Sequence, residues 1–190
     1  MASHAPQRMT LAAFLKWDDG VARRYQLIDG VPVMMAPAAE AQGKLAAALM
    51  IEIGGRLKRS CRVVSEAGIM VQSRSDTCYV ADLAVTRAAP GAGRVVAEPT
   101  LIVEVLSPSV GQVDRLRKVA DYRTLSSVQE ILIAFHGERR ATRQWRAADS
   151  WRVEDLIGQE SIGLGVCDGP IPLDALYGDL LARPEAPSGT

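Results

Sequence analysis

Pro99-Thr100-Leu101-Ile102-Val103-Glu104-Val105-Leu106, closed by Ser107-Pro108-Ser109, is the stretch whose reading decides the fold. An unbroken run of aliphatic residues, many β-branched, ended by a Ser/Pro turn predicts a strand covered on both faces. Glu104 lies inside that run. Burying a lone carboxylate costs several kcal/mol, roughly, so Glu104 needs a partner, a cation or a proton.

Working outward, two other segments have compatible chemistry. Upstream, Tyr79-Val80-Ala81-Asp82-Leu83-Ala84-Val85 is a second apolar run with one acid, Asp82. Downstream, Val113–Leu125 carries a helical period. Val113, Leu116 and Ala120 form one flank; Asp114, Lys118 and Tyr122 recur at i, i+4 and i+8 on another. A lysine on the helix after an acidic strand can reach back to Glu104 where the helix crosses the strand ends. Two strand carboxylates and an ammonium can together hold a divalent cation and orient water for phosphodiester hydrolysis. That requires Asp82 and Glu104 to share a side of the sheet, which strand alternation permits without deciding.

The segment Glu98–Ser109, followed by Asp114, Lys118 and Tyr122, resembles the bacterial Uma-two family of restriction endonucleases, within the PD-(D/E)XK nuclease superfamily. The resemblance implies an α/β restriction-endonuclease-like core: a mixed central sheet flanked by helices, with an N-terminal hairpin and a C-terminal antiparallel extension. It also implies a Mg²⁺-dependent DNA endonuclease, with Mn²⁺ as a substitute, in which Asp82 and Glu104 bind the metal and Lys118 completes the catalytic set. The superfamily lysine usually lies two residues after the second acid, where this chain has Leu106; in this family it has moved to the following helix, at Lys118. Ala81 replaces the proline before the first acid, which supplies no ligand.

The resemblance covers Met9–Leu180 and includes Tyr25-Gln26-Leu27-Ile28-Asp29-Gly30, a strand and Asp-Gly turn opening a hairpin. Where the family carries Glu, this chain has Gln26; where it carries His near the next helix, the chain has Gln42. Both remain supporting candidates, with Glu40 beside them, although a first-turn Glu also suits the helix dipole. Tyr122 reads equally as packing or as a brace for the lysine, and Asp114 as an i, i+4 partner of Lys118.

The remaining elements follow in order. Thr10 caps a short helix to Trp17, and Ala38–Arg59 is the strongest helical segment, with Leu45, Leu49, Ile53 and Leu57 spaced by four and Gly54-Gly55 loosening its end. Cys61–Ser65 and Ile69–Gln72 read as two strands around Glu66-Ala67-Gly68. Ser127–Phe135 follows the Lys118 helix, so a right-handed crossover pairs it parallel to the Glu104 strand. Arg139–Arg146 and Trp151–Val153 form an antiparallel pair. Arg139, Arg140, Arg143 and Arg146, with interleaved tryptophans, are the candidate nucleic-acid contacts; the competing reading makes them the rim of a core or dimer interface. Pro170–Tyr177 predicts a short strand and a helical turn.

The chain has 190 residues, 48% hydrophobic, with 22 basic and 22 acidic side chains. Its length suits one domain, residues 9–180, between flexible tails at 1–8 and 182–190. Balanced charge excludes a global pull on nucleic acid, so DNA binding needs a local patch. Three cysteines without a CxxC pair, and only two histidines, exclude a zinc-finger scaffold. No stretch has the pattern of a signal peptide or membrane span, and the expectation is a cytoplasmic protein with reduced thiols that makes no membrane contact. Beside a small-molecule enzyme with a buried acid-pair cleft, which the absence of another nucleophile constellation disfavours, two functional readings lead. One is a homodimeric metal-dependent DNA endonuclease; the other is a catalytically inactive dimeric binding or scaffold protein of the same fold, with Glu104 and Lys118 a structural ion pair.

Overall fold

The computed structural model describes residues 8–20, 23–91, 93–106, 112–178 and 180, with backbone alone for 112–115. The Ser107–Ser109 turn and both expected tails lie outside them or at their margin, as does the Asp114 side chain.

The chain opens with α1 (Leu11–Lys16), capped by the Thr10 hydroxyl accepting from the Ala13 N–H at 3.2 Å. β1 (Tyr25–Ile28) and β2 (Val31–Met34) form the expected hairpin. Its turn has positive φ at both Asp29 (49°) and Gly30 (76°), the backbone that matches the twist of paired strands. α2 spans Glu40–Gly54 and buries Leu45, Leu49 and Ile53, the four-residue spacing read from the sequence. Gly54-Gly55 ends the helix instead of loosening it, with Gly55 as the cap residue, so Leu57 lies beyond it in a bridge to Cys167.

The two strands expected around Glu66-Ala67-Gly68 are one, β3 (Arg62–Met70). Glu66 takes φ 50° inside it, an irregularity that the strand absorbs without turning back. Gly68 is required for space: a Cβ there would lie 2.4 Å from the Arg94 carbonyl oxygen. β4 (Cys78–Thr86) pairs antiparallel with β3 along its whole length.

β5 (Pro99–Leu106), α3 (Gln112–Thr124) and β6 (Glu130–Phe135) form the strand–helix–strand unit, with β5 and β6 parallel as predicted. β7 (Arg140–Ala147) and β8 (Ser150–Ile157) extend the sheet as an antiparallel hairpin. β9 (Ser161–Ile162) and β10 (Ile171–Pro172) pair separately, and α4 (Leu173–Tyr177) ends the described fold. Among the described residues the main sheet is mixed and eight-stranded, ordered β2-β1-β4-β5-β6-β7-β8 with β3 on the other edge of β4. No helix among them is long and apolar enough to cross a membrane.

Two cores sandwich the sheet. One, on the α2 and α4 side, holds Leu45, Leu49, Leu83, Val103, Leu132 and Tyr177. The other, on the α3 side, holds Ala84, Ile102, Ile131, Val119, Tyr122 and Leu125. The α3 face differs from the expected one: Val119 and Tyr122 are buried, whereas Leu116 is 62% exposed and Ala120 faces solvent. The buried stripe continues through Leu125, and Leu116 falls on the opposite flank.

Candidate active site

The strand register positions the two acids. β4 pairs with β5 only from Leu83↔Val103 to Thr86↔Pro99, while β1 meets the same edge of β4 at Cys78. The stretch between, ending at Asp82, faces a fork where β5 has left β4. Continuing the register one step beyond Leu83↔Val103 sets Asp82 against Glu104. The ladder is replaced there by a side chain: the Val105 N–H donates to Asp82 Oδ2 at 2.7 Å. A short carboxylate so placed both satisfies an N–H at the fork and is itself held.

Helices close the fork from both layers. From α2, Gln42 Nε2 donates to Asp82 Oδ1 at 3.2 Å. From α3, the Tyr122 hydroxyl donates to Glu104 Oε1 at 2.6 Å and Lys118 Nζ to the same oxygen at 3.4 Å. Tyr122 and Lys118 are four apart, so one helical face delivers both. Glu104 Oε2 makes no hydrogen bond among the described residues. Burial pushes the Glu104 carboxyl above the usual range and outweighs the opposing effects of Lys118 and the Tyr122 bond; Asp82 pushes it further. Burial, with Glu104 alongside, holds the Tyr122 phenol well above its ordinary value.

A second tier lies beside this group. The Lys118 ammonium is 5.6 Å from the centre of the Tyr79 ring, which meets Tyr122 edge-on at 5.8 Å. The Tyr79 hydroxyl donates to Asp121 Oδ2 at 2.7 Å, and Arg74 pairs with both Asp121 and Asp29. Asp29 also takes the Arg117 guanidinium. Asp29, Arg74, Tyr79, Arg117 and Asp121 were absent from the candidates drawn from sequence. Asp29 and Tyr79 stand in stretches that the sequence marks as a turn and a strand, and Asp121 follows Lys118 by three positions.

The other candidates lie further out. Glu40 pairs with Lys44 at 2.8 Å and its side chain is 83% exposed. Gln26 Oε1 is buried without a partner, and no hydrogen bond links it to the acids among the described residues. The four arginines do not form one surface, because alternation along β7 divides them. Arg143 faces the α2 side, gripping Glu130 Oε1 at 2.5 Å, while Arg140 lies over the Phe135 ring and Arg146 over Trp151 on the α3 side. Arg146 spends its guanidinium on the carbonyls of Arg123, Leu125 and Val128, at the end of β7 away from the fork. Arg140, opposite Phe135, shares the fork's end of the sheet with Arg139, which pairs with Asp174.

The fork suits a hard cation that retains water. Its donors are all oxygens: the Asp82 carboxylate, Glu104 Oε2 and the Gln42 amide oxygen left when Nε2 binds Asp82. Among the described residues no three His, Cys, Asp or Glu side chains gather into a closed cage. Two carboxylates with waters are what Mg²⁺ accepts.

The comparisons agree with this architecture. The chain is 25% identical over 162 residues, 80% of its length and 90% of the other's, to an uncharacterized protein of Synechocystis sp. (strain ATCC 27184 / PCC 6803 / Kazusa). Its fold matches the crystal structure of "a putative nuclease belonging to DUF820" from Anabaena variabilis ATCC 29413, with a TM-score of 0.71 at 17% identity, covering 91% of this chain and 99% of that one. The forked sheet is thus a nuclease-like fold, and residues 11–160 match the family description "Putative restriction endonuclease": the chain belongs to the Uma2 family.

Proposed function

We propose that this protein is a Mg²⁺-dependent endonuclease that hydrolyses DNA phosphodiester bonds, with Asp82 and Glu104 as cation ligands and Lys118 as the catalytic ammonium. The observation that supports the reading is that Lys118 reaches Glu104 on β5 while Asp82 on β4 takes the N–H of the next residue, Val105, where β5 leaves β4. When bound, the cation, for which Mn²⁺ can substitute, supplies Lewis-acid polarisation of the phosphate and a more acidic water.

The chain's own groups prepare that chemistry. Val105 N–H and Gln42 Nε2 each take one oxygen of Asp82 and fix the plane of its carboxylate. Tyr122 holds Glu104 Oε1 and leaves Oε2 for the cation. Lys118, its side chain 14% exposed, lies 3.4 Å from Glu104 Oε1, placed to stabilise charge developing on phosphoryl oxygens. Arg139 and Arg140 are the arginines assigned to DNA here. Their partners Asp174, Asp155 and Glu138 are exposed acids, and such surface pairs yield readily to a phosphate.

The reading includes a homodimer working in the cytoplasm. On the edge strand β8, Val153 and Ile157 are 57% and 60% exposed, beyond the reach of α3. Burial pushes the Cys78 and Cys167 thiols up to about 11, consistent with inert, reduced side chains.

Nicking of supercoiled plasmid and cutting of single-stranded DNA in Mg²⁺ or Mn²⁺ test the proposal. Asp82→Asn and Lys118→Ala each lose on the order of 10²-fold in rate; undiminished cutting by both overturns the site. The buried Glu104–Tyr122–Lys118 trio also favours a second reading, an inactive scaffold in which the lysine permanently neutralises the acid. Calorimetry showing no Mg²⁺ or Mn²⁺ uptake, together with no cutting, selects it.

A further inference from the structure

The hairpin turn between β1 and β2 contributes one acid to α3. Asp29 accepts from Arg117, the residue before Lys118, and from Arg74 Nη1 at 2.9 Å. The Arg117 Nε is buried without a partner, and Asp29 is its one carboxylate hydrogen-bond partner among the described residues. Arg74 continues to Asp121 at 3.4 Å, one residue before Tyr122, and Asp121 takes the Tyr79 hydroxyl. Tyr79 in turn carries the Lys118 ammonium on its ring and meets Tyr122 edge-on. Two routes therefore lead from Asp29 to the fork: through the backbone at Arg117, and through Arg74, Asp121 and Tyr79.

We propose that Asp29 is a positioning residue, which sets the placement of α3 and thereby the reach of Lys118 and Tyr122 to Glu104. The inference rests on the nuclease reading for its kinetic consequence alone; the placement of the helix is independent of it. The geometry makes Asp29 suited to the task. It sits at the left-handed position of a tight turn, tied to the Arg74 side of the fold by Gly30 N–H on the Asp76 carbonyl at 2.8 Å and by its own N–H on Thr77 Oγ1 at 3.3 Å. The turn is thus a fixed point on the sheet, against which α3 is referenced. An error of about 1 Å in a reacting group can cost on the order of 10²-fold in rate, so a weakened clamp registers in turnover before it registers in substrate affinity.

Asp29→Asn tests this cleanly, because asparagine also adopts positive φ and the turn survives. The expected result in Mg²⁺ is a kcat about tenfold lower, with KM for plasmid DNA within about twofold, a tenfold loss being what partial misplacement gives. Arg117→Met cuts one of the two routes and loses no more than Asp29→Asn, and the pair of substitutions is no worse than Asp29→Asn alone. In a Lys118→Ala background, Asp29→Asn costs a smaller fraction of the rate than it does in the wild type, since one of the two side chains it places is gone. Hydrogen exchange read over residues 116–122 rises in Asp29→Asn while the exchange of β5 and β6 stays unchanged. An equal fractional loss with and without Lys118, or unchanged exchange over 116–122, overturns the proposal. A wild-type protein that cuts nothing overturns the nuclease reading instead, and the exchange measurement alone then decides the clamp.

Discussion

The Tyr122 hydroxyl donates to Glu104 Oε1 at 2.6 Å, joining a helix to a buried strand acid 18 positions earlier. Removing the hydroxyl leaves that oxygen with Lys118 alone, at 3.4 Å. Tyr122→Phe therefore loses a hydrogen bond to a charged group, worth about 1.5–3 kcal/mol, and pushes Glu104 further toward its protonated form. Urea unfolding at pH 7 reads the loss, and Mg²⁺ affinity falls with it.

Breaking the buried pair and replacing it differ in effect. Lys118→Met leaves a carboxylate in an apolar setting and costs about 3–5 kcal/mol at neutral pH. Adding Glu104→Gln removes the uncompensated charge and keeps the Tyr122 bond, so the double variant recovers most of that loss. Urea melts of the three variants at pH 8 measure the coupling; additive losses would show that the two side chains act separately.

Stability against pH carries two opposite signatures. Arg117 first, and Arg74 with it, hold Asp29 below its ordinary 3.8. Its contribution is complete above 3.8 and is lost as pH falls through the lower folded value. Burial raises Glu104 above 4.5, so the folded state holds that proton more tightly and stability falls as pH rises from 4.5 through the folded value. Asp29→Asn flattens the acid limb, and Glu104→Gln flattens the decline above 4.5. Mg²⁺ binds the ionised acid, so the rise in Tm that it produces grows with pH over the same window.

Arg143 provides a contrast with the arginines at the fork's end. It grips Glu130, a buried acid whose other oxygen takes the Gly165 N–H at 2.6 Å. Arg143→Met strands that carboxylate and costs about 3–5 kcal/mol, with plasmid nicking per folded molecule unchanged. Arg139→Ala and Arg140→Ala do the reverse: thermal melts move little, and DNA affinity falls with a shallower salt dependence.

Gly68→Ala presses a methyl onto the Arg94 carbonyl, where the space is 2.4 Å. Overpacking against backbone typically costs about 1–3 kcal/mol. Gly68 pairs with Val80 from the edge of β4 opposite the fork, so the denaturant midpoint shifts more than Mg²⁺ affinity does.

The elements and the acids were legible in the chain because each leaves a local mark. Leu45, Leu49 and Ile53 announce a helix by spacing, Asp29-Gly30 a hairpin by its backbone demands, and Glu104 a site by being charged among aliphatic neighbours. The parallel pairing of β5 and β6 follows from the helix between them. Tertiary structure alone decided the rest. The Asp29 clamp joins partners 45 and 88 positions away, and no periodicity spans such a distance. The arginines of β7 look like one patch in sequence, yet a side-chain period of two sends Arg143 to the other face from Arg140 and Arg146. Asp82 takes the N–H of Val105, next to Glu104, because β5 leaves β4 there, a register that depends on how whole strands pack. Local pattern records what a residue's neighbours in the chain require; which distant groups share a charge is set only when the sheet and its helices close around them.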